Sequence, residues 1–429
     1  MSSCSKVVSY ILAFLFINSI LTTVFSATVL IGKNTLTSAK ATESGKQGNG
    51  RQNTTLDSGR YNNTTHATRQ VSTSRRAIAQ LTTVDGEAKG IKWENITWLA
   101  NKTPIFTQTL TNINNLYYVG TVYIGFPPRP FQVMFDTGST LTWVKGKNAL
   151  QRTDNGFNEV YYNYVWSQTS RTTKRKFKIS YDDGVVTKGR LYMDYVALGD
   201  YYNPQLRNYV HFGVATKLEQ DSPRPYDGVF GLGFGEKHNI KTLMERNRMT
   251  NTLNPPIISV YMSELPEKPT ESSWGGEIVF GSLNPRWCEA EAVFTQVIHT
   301  PDWRFHANHV TLNGINIDIE IEISSDTGTS AILVPKKIYN KITKHLGLRK
   351  GSSVPAINCE QKIHLSFKIN GVHFSLTEKQ LITGYNNKCN LQMSPVQGNL
   401  WVFGTPMIRK YCHVYDMQSK RIGFTNTVY

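Results

Sequence analysis

The chain has 429 residues, of which 39% are hydrophobic and 11% aromatic, enough for sizeable cores and for two or three domains. Its formal net charge is +16, but the lysines and arginines are scattered and form no basic run interleaved with aromatics, which argues against a nucleic-acid-binding module. Such a basic surface suits acidic substrates, polyanions or anionic membranes, or serves only for solubility.

The N-terminus has the features of a targeting segment. Lys6 precedes an apolar run from Val7 to Phe25, and Ser26 before Ala27 fits a small-residue cleavage site, so residues 1–26 are predicted to be a signal peptide. We therefore expect secretion, or delivery to an acidic lumen such as a lysosome or vacuole. If the run is not cleaved, it would instead anchor the chain in a membrane.

Residues 27–103 are predicted to be a propeptide or a disordered, glycosylatable segment. They are rich in Thr, Ser, Asn, Lys and Gly and show little apolar periodicity. All the Asn-x-Ser/Thr sequons of the chain lie here, at Asn53, Asn62, Asn63, Asn95 and Asn101. Their confinement to one stretch after a signal peptide favours an exposed pro-region.

The remaining sequence contains two similar short motifs, each with an aspartate in a predicted turn. Asp136 lies in the run Phe-Asp-Thr-Gly-Ser-Thr, and Asp326 lies in the run Ser-Asp-Thr-Gly-Thr-Ser. Phe131, Val133 and Phe135 recur at every second position up to the first turn, which places Asp136 at the end of a strand. A duplication of this kind predicts two similar lobes that each supply one carboxylate to a shared site.

These residue types suit the hydrolysis of an unactivated amide. One ionised carboxyl takes a proton from a water molecule while a protonated neighbour donates to the carbonyl oxygen, so no metal or other cofactor is required. Like charges at close range enforce that division, because both carboxyls cannot ionise together. Gly138 and Gly328 let backbone amides approach the carboxylates, and the hydroxyls of Ser139 and Thr329 are expected to hydrogen-bond to them.

From about residue 104 to residue 429 the chain resembles a pepsin-type aspartic peptidase, a family in which the shared proton is well established. The resemblance implies an all-β, bilobal double-ψ β-barrel fold with an active-site cleft between the lobes. It places the N-terminal lobe and interlobe connection at 104–300 and the C-terminal lobe at 301–429. It implies an aspartic endopeptidase that cuts polypeptides at acidic pH between bulky apolar residues.

The resemblance also assigns roles to individual residues. Asp136 and Asp326 are the expected catalytic pair. The neighbours expected to form hydrogen bonds around the pair are Thr137, Gly138, Ser139, Thr327, Gly328 and Thr329. A hairpin near residues 177–198 corresponds to the flap that closes over substrate, with Tyr181 and Gly184 near its tip. Trp143 is the expected hydrogen-bond partner of Tyr181, and Tyr226 and Val229 are expected to border an apolar substrate pocket.

The chain departs from the family pattern at three positions. Asp182 stands where the family usually has glycine, and Asp183 adds a second charge at the flap tip. Thr405 follows Gly404 where the family often has aspartate, which removes one negative charge near the pair. Gly404 and Gly231 correspond to the points where one backbone segment crosses closely behind each acidic turn.

Cysteine usage fits an oxidising compartment. Cys4 lies in the targeting segment, and the resemblance implies a disulfide between Cys359 and Cys389. Cys288 and Cys412 have no family counterpart, so a second bridge and two buried thiols both remain open.

The expected partner is a polypeptide substrate, and no nucleic acid, metal or cofactor is expected. A membrane is expected as a partner only if the N-terminal segment is uncleaved, and the chain is expected to act as a monomer because it carries both acidic turns. Two other functions remain as alternatives: a catalytically silent relative that binds peptides, and a membrane-anchored processing protease.

Overall fold

The computed structural model describes residues 93–149, 160–181, 184–219, 224–234, 236–237, 240–264, 273–298, 302–348, 355–385 and 388–428. The chain divides into two units, Met1–Val84 and Asp85–Tyr429, and all described residues belong to the second. The predicted signal peptide and most of the predicted pro-region therefore lie outside the described residues. In the part that the structure describes, no helix is long and apolar enough to cross a membrane.

The fold is all-β, with few and short helices. Strands up to residue 241 are β1 (Glu94–Asn95), β2 (Phe106–Ile113), β3 (Tyr117–Ile124), β4 (Arg129–Asp136), β5 (Trp143–Lys145), β6 (Arg171–Ser180), β7 (Val186–Gly199), β8 (Pro204–Glu219), β9 (Gly228–Gly231), β10 (Glu236–Lys237) and β11 (Ile240–Lys241).

The strands after residue 241 are β12 (Ile257–Met262), β13 (Ser273–Phe280), β14 (Glu291–Gln296), β15 (Arg304–Leu312), β16 (Ile315–Ser325), β17 (Ile332–Pro335), β18 (Ala356–Ile357), β19 (His364–Ile369), β20 (Val372–Thr377), β21 (Ile382–Tyr385), β22 (Lys388–Leu391), β23 (Met393–Val396), β24 (Trp401–Phe403), β25 (Tyr411–Asp416) and β26 (Arg421–Asn426). The helices are α1 (Thr97–Ala100), α2 (Leu243–Met249), α3 (Lys336–His345), α4 (Glu378–Leu381) and α5 (Thr405–Lys410), with 3-10 turns at Lys147–Ala149 and Tyr164–Trp166.

Helix boundaries follow local capping chemistry. α2 begins at Leu243 because the Thr242 hydroxyl accepts a hydrogen bond from the Glu245 amide and caps the helix there. Ile240, just before it, belongs to β11. α3 begins directly after Pro335, and Gly347, with a φ of 70°, follows its end.

The strands form two lobes that share one sheet. A 14-stranded sheet has the order β1-β14-β26-β25-β12-β13-β2-β3-β4-β9-β5-β8-β7-β6, and a seven-stranded sheet of the second lobe has the order β20-β19-β15-β16-β24-β17-β23. The C-terminal strands β25 and β26 lie in the larger sheet, between β12 and β14. Strands β12 to β14 and the C-terminal strands β25 and β26 therefore belong to the same sheet as the strands of the first lobe.

The two lobes repeat one local arrangement of strands. β4 pairs in parallel with β9, which pairs antiparallel with β5. β16 pairs in parallel with β24, which pairs antiparallel with β17. β4 leads into the first acidic turn and β16 into the second, so equivalent strands support both turns.

The end of the predicted pro-region is folded in the described residues. β1 pairs with β14, with Glu94 opposite Ala292, and Ile96 and Leu99 are fully buried. This packing differs from the exposed segment expected up to residue 103, because its two apolar residues contribute to a buried cluster with Cys288 and Cys412. Of the predicted sequons, Asn95 and Asn101 are described, and Asn101 is exposed at the end of α1.

Both cysteine pairs are disulfides. Cys359 is bonded to Cys389, as the resemblance implied, and Cys288 is bonded to Cys412, which decides the alternative left open by the sequence. The second bridge closes a sequence separation of 124 residues. In the chain-entropy description a loop of this length contributes roughly 4 to 5 kcal/mol of stability.

Candidate active site

The two acidic turns begin where parallel strands end. Asp136 is the last residue of β4 and lies opposite Gly231 of β9. Asp326 follows β16 directly, and its amide donates a hydrogen bond of 3.1 Å to the Phe403 carbonyl on β24. The strand pairing therefore carries both aspartates to one place, although 190 residues separate them.

The two carboxyl groups lie against each other and against the glycines of the opposite turn. A methyl group on Gly138 would lie 2.6 Å from the carboxyl carbon of Asp326, and one on Gly328 would lie 2.9 Å from that of Asp136. The same methyl group on Gly328 would lie 3.2 Å from Asp326 Oδ1, so the two carboxyls border one small volume. Only glycine fits at these two positions, because any Cβ would displace a carboxyl group.

Each carboxyl also accepts hydrogen bonds from its own turn. The Gly138 amide donates to Asp136 at 2.8 Å, and the Gly328 amide donates to Asp326 at 2.7 Å. The Thr329 hydroxyl donates to the other oxygen of Asp326 at 2.7 Å. Ser139 Oγ is buried and makes no hydrogen bond of standard geometry, although its proximity to Asp136 still lowers the pKa of that carboxyl.

The surroundings of Asp136 favour the protonated form of its carboxyl. Burial raises its pKa well above the usual value, and the negative charge of Asp326 raises it further. The contributions of Ser139 and the Gly138 amide act in the opposite direction and are smaller than the effect of burial. Because the two carboxyls are strongly coupled, the proton belongs to the pair.

Thr137 and Thr327 do not contact the carboxyls but bind the opposite turn. Each threonine amide donates to the other threonine's hydroxyl, at 2.9 and 3.0 Å. The Thr137 hydroxyl donates to the Ser325 carbonyl at 2.9 Å, and the Thr327 hydroxyl donates to the Phe135 carbonyl at 2.7 Å. These four buried bonds fix the separation of the two turns, a role that the sequence alone did not indicate.

A second group of polar side chains lies beneath the turn of Asp326. Ser325 Oγ lies 2.8 Å from His413 Nδ1 and 2.8 Å from the Tyr415 hydroxyl. His413 is fully buried, its Nε2 has no hydrogen-bond partner, and burial lowers its pKa to about 3. Burial likewise raises the pKa of Tyr415. The sequence analysis missed this group, whose only signal is polar residues within an otherwise apolar strand.

The predicted crossing glycines lie directly behind the turns. A methyl group on Gly231 would lie 2.6 Å from the carbonyl carbon of Thr140, and one on Gly404 would lie 2.1 Å from the Thr329 carbonyl oxygen. Thr405, which replaces the aspartate common in pepsin-type peptidases, is buried and supports the same turn. Its amide donates to the Thr329 carbonyl at 2.8 Å and its hydroxyl to the Ser330 carbonyl at 3.2 Å.

Comparison with known proteins agrees with this geometry. A family model described as eukaryotic aspartyl protease matches residues 117–427. The chain belongs to the eukaryotic aspartyl protease family.

Curated relatives cover most of the chain. Pregnancy-associated glycoprotein 2 of Bos taurus is 27% identical over 342 residues, which is 76% of this chain and 87% of the relative. Aspartic protease 17 of Caenorhabditis elegans is 26% identical over 352 residues, with 77% and 88% covered. Pepsin B of Canis lupus familiaris is 24% identical over 348 residues, with 76% and 85% covered. The likeness to pepsin supports a hydrolase of the pepsin kind.

The hairpin that corresponds to the family's flap is formed by β6 and β7. Trp143 Nε1 donates a hydrogen bond of 2.6 Å to the Tyr181 hydroxyl, as the resemblance to this protease family implied. Gly184, with a φ of 86°, donates its amide to the Tyr181 carbonyl at 3.0 Å and has open space around it. Asp182 and Asp183, which depart from the pattern of aspartyl proteases, lie outside the described residues.

The two residues expected to border a pocket have different surroundings. Val229 is 1% exposed and packs in a buried cluster with Met134 and Trp143. Tyr226 is half-buried at the edge of that cluster, and its ring meets the Tyr117 ring edge-on at 5.6 Å. Val229 is therefore a core residue, whereas Tyr226 is partly exposed at the edge of the same cluster.

We predict that the bond between Trp143 and Tyr181 supports the closed flap. Replacing Trp143 by phenylalanine or Tyr181 by phenylalanine should lower kcat/KM about fivefold, since one hydrogen bond contributes about 1 kcal/mol. Steady-state kinetics on a peptide substrate would measure both single variants and the double variant. If the bond carries the effect, the double variant should be no slower than either single variant, and additive losses would contradict this role.

Proposed function

We propose that this chain is an aspartic endopeptidase that hydrolyses peptide bonds in polypeptides at acidic pH. One observation carries the proposal: Asp136 and Asp326, from the ends of equivalent strands in the two lobes, each lie against the glycine of the opposite turn and so border one shared volume. The cross-bonded threonines support it, because they hold the two turns in a fixed geometry.

The reaction uses one proton held by the pair. The ionised carboxyl takes a proton from a water molecule, whose oxygen attacks the peptide carbon. The protonated carboxyl donates to the carbonyl oxygen. As the C–N bond breaks, the carboxyl that took the water's proton delivers it to the nitrogen, and the other carboxyl regains its proton from a hydroxyl of the tetrahedral intermediate. Hydrogen bonds from Gly328 and Thr329 orient the carboxyl of Asp326, while burial favours the protonated form of Asp136.

The raised pKa of Asp136 sets the direction of the pH dependence. The pair loses its proton as the pH rises through that pKa, and two ionised carboxyls can no longer protonate the carbonyl oxygen. We therefore expect activity to be highest in acid and to fall as the pH increases. An acidic lumen or an acidic extracellular space suits this requirement, and the two disulfides suit an oxidising compartment.

The side chains beneath the flap support a preference for bulky apolar residues around the cut. Phe177, Ile179 and Leu218 are partly buried and pack with Tyr181 and Tyr226 against the same cluster as Trp143. An apolar substrate side chain inserted there would be removed from water, which is favourable in proportion to its buried area. Because one chain supplies both aspartates, we propose that the monomer is sufficient for activity.

The proposal is tested by acidifying the purified chain and following the hydrolysis of an unfolded protein, with and without a statine-type transition-state mimic. We expect hydrolysis in acid that the mimic blocks. Binding of the mimic without hydrolysis would instead identify a silent peptide-binding relative. N-terminal sequencing of the same samples would show whether Ser26 and the pro-region are removed, and retention of residues 1–26 would favour the membrane-anchored alternative.

A further inference from the structure

Basic side chains cover one face of the β6–β7 hairpin and the adjoining strand β8. Lys178 of β6 lies opposite Lys188 of β7, which lies opposite Lys217 of β8. Lys176 lies opposite Arg190 in the neighbouring row. Directly opposite residues of antiparallel strands project from the same side of the sheet at about 5 Å, so these cations are close neighbours. We call these five residues together with Lys174 the cationic face.

Among the residues that the structure describes, one carboxylate faces the six cations of the cationic face. Glu219 lies 2.7 Å from Lys188 and 2.9 Å from Lys217. Lys176, Lys178 and Arg190 form no ion pair with any residue that the structure describes. Like charges directly opposite each other destabilise a sheet, so this arrangement costs stability unless an external anion is bound.

Protection of a sheet edge does not explain the whole face. β6 is the outermost strand of the 14-stranded sheet, and lysines on an edge strand discourage association with other chains. Lys188 and Arg190, however, belong to β7, which has partners on both sides. Protection of the sheet edge therefore does not explain why Lys188 and Arg190 are basic.

Exposed aromatic and aliphatic side chains lie beside the cationic face. Val165 is 70% exposed, and Tyr164 and Trp166 flank it. We call these three residues the aromatic rim. Three consecutive exposed side chains of this size form one apolar patch, a kind of surface that docks onto a partner or a membrane.

The rim and the face are continuous. The Tyr164 ring stacks on Tyr192 of β7 at 5.7 Å, and these two tyrosines line one open pocket together with Lys174 and Arg190. The Arg129 guanidinium lies over the Trp166 ring at 4.1 Å and adds a cation to the rim.

The rim is anchored to the sheet. The Tyr162 hydroxyl donates a hydrogen bond of 2.8 Å to the buried carboxyl of Asp194 on β7. The Asn163 side chain accepts from the Val165 amide at 3.1 Å, and the Ser167 hydroxyl accepts from the Phe126 amide at 3.0 Å. The exposure of Val165 and Trp166 is therefore built into the fold.

We propose that the cationic face and the aromatic rim dock this chain onto the surface of an anionic lipid bilayer. Lysines and arginines attract anionic headgroups, and tryptophan and tyrosine favour the interface between headgroups and acyl chains. An acidic polypeptide would neutralise the cations but would leave Val165 and the rim in water. The net charge of +16 adds long-range attraction. This docking requires neither the N-terminal segment as an anchor nor peptide hydrolysis.

The test is co-sedimentation of the purified chain with vesicles of phosphatidylcholine alone and of phosphatidylcholine containing 30 mol% phosphatidylserine. We expect binding only to the anionic vesicles, with weakening as salt is added. The variant Lys176→Gln/Arg190→Gln should reduce partitioning roughly tenfold or more, because each cation at an anionic surface contributes separately. Val165→Ser/Trp166→Ala should also reduce it.

A matched control removes the same charge elsewhere. Lys336 and Lys337 are exposed on α3 of the second lobe, so Lys336→Gln/Lys337→Gln lowers the net charge equally and should leave partitioning unchanged. Thermal unfolding would establish that every variant is folded. Failure of the unaltered chain to bind anionic vesicles would overturn the proposal, as would equal losses in both lysine variants. Binding to polyglutamate or heparin but not to vesicles would overturn the choice of a bilayer.

Discussion

Replacing Asp136 or Asp326 by asparagine should lower peptide hydrolysis roughly a thousandfold or more, because general acid–base catalysis by a positioned side chain contributes about 10² to 10⁴. Asparagine keeps the size of the side chain but neither accepts the proton of water nor donates one to the carbonyl oxygen with the acidity of a carboxyl. The rate of hydrolysis of an unfolded protein in acid measures the loss.

Measuring the free energy of unfolding of the variants distinguishes a loss of catalysis from misfolding. The raised pKa of Asp136 means that its ionised form is unfavourable in the folded protein, so its contribution to stability is present below its ordinary pKa and is lost as the pH rises through the raised value. Asp136→Asn should therefore unfold at pH 7 no more easily than the unaltered chain. Asp318→Asn, on β16 before Asp326, is a matched control that should retain full hydrolysis. Full turnover in either asparagine variant of the pair would refute the mechanism.

Replacing His413 by asparagine should make the folded protein more resistant to acid. The pKa of His413 falls from about 6.5 to about 3 on burial, so the unfolded chain binds a proton between these values that the folded chain does not. Stability is complete above pH 6.5 and is lost as the pH falls toward 3. At roughly 1.4 kcal/mol per pKa unit the loss is on the order of a few kcal/mol.

Asparagine suits this test because its side chain can still reach Ser325 Oγ but does not titrate. Urea unfolding at several values between pH 7 and pH 4 would measure the effect, in an Asp326→Asn background that prevents self-digestion. The free energy of unfolding should fall less steeply with acid in His413→Asn. Exposed His345, replaced by asparagine, should leave the slope unchanged. Equal slopes with and without His413 would exclude this role.

The two titrations act in opposite directions within one site. The aspartate pair needs acid to retain its proton. The buried imidazole of His413, beneath Ser325, must stay neutral, so acid destabilises the folded protein. The working range of the protein should therefore have an upper limit set by the pair and a lower limit set by His413. His413→Asn should extend activity to lower pH without moving the upper limit.

The sequence predicted the features of the site that depend on neighbouring residues in the chain. Alternation of apolar residues placed Asp136 at a strand end, and the glycines at 231 and 404 lie at the close crossings that their sequence context indicated. The repeat of the acidic turn predicted two equivalent lobes. The structure has this equivalence, because β4 pairs in parallel with β9 and β16 pairs in parallel with β24.

The contacts that could not be predicted join distant residues. Thr137 and Thr327 were expected to bind the carboxyls next to them, but their hydroxyls reach backbone carbonyls about 190 residues away. Ser325 and His413 meet only because β25 packs beneath the second turn. The burial of Ile96 and Leu99 was missed because their apolar neighbours from Ile91 onward follow a long polar stretch and were assigned with it to the pro-region.

The position of β25 and β26 within the larger sheet has a consequence for biosynthesis. β12 pairs with β25, and β14 pairs with β26, yet β25 and β26 follow far later in the chain and leave the ribosome after them. Until then one side of β12 and one side of β14 expose unpaired backbone groups, which template aggregation. The nascent chain must keep these strands apart from other chains until β25 and β26 have emerged, and a premature stop codon before residue 411 would leave the gap permanently open.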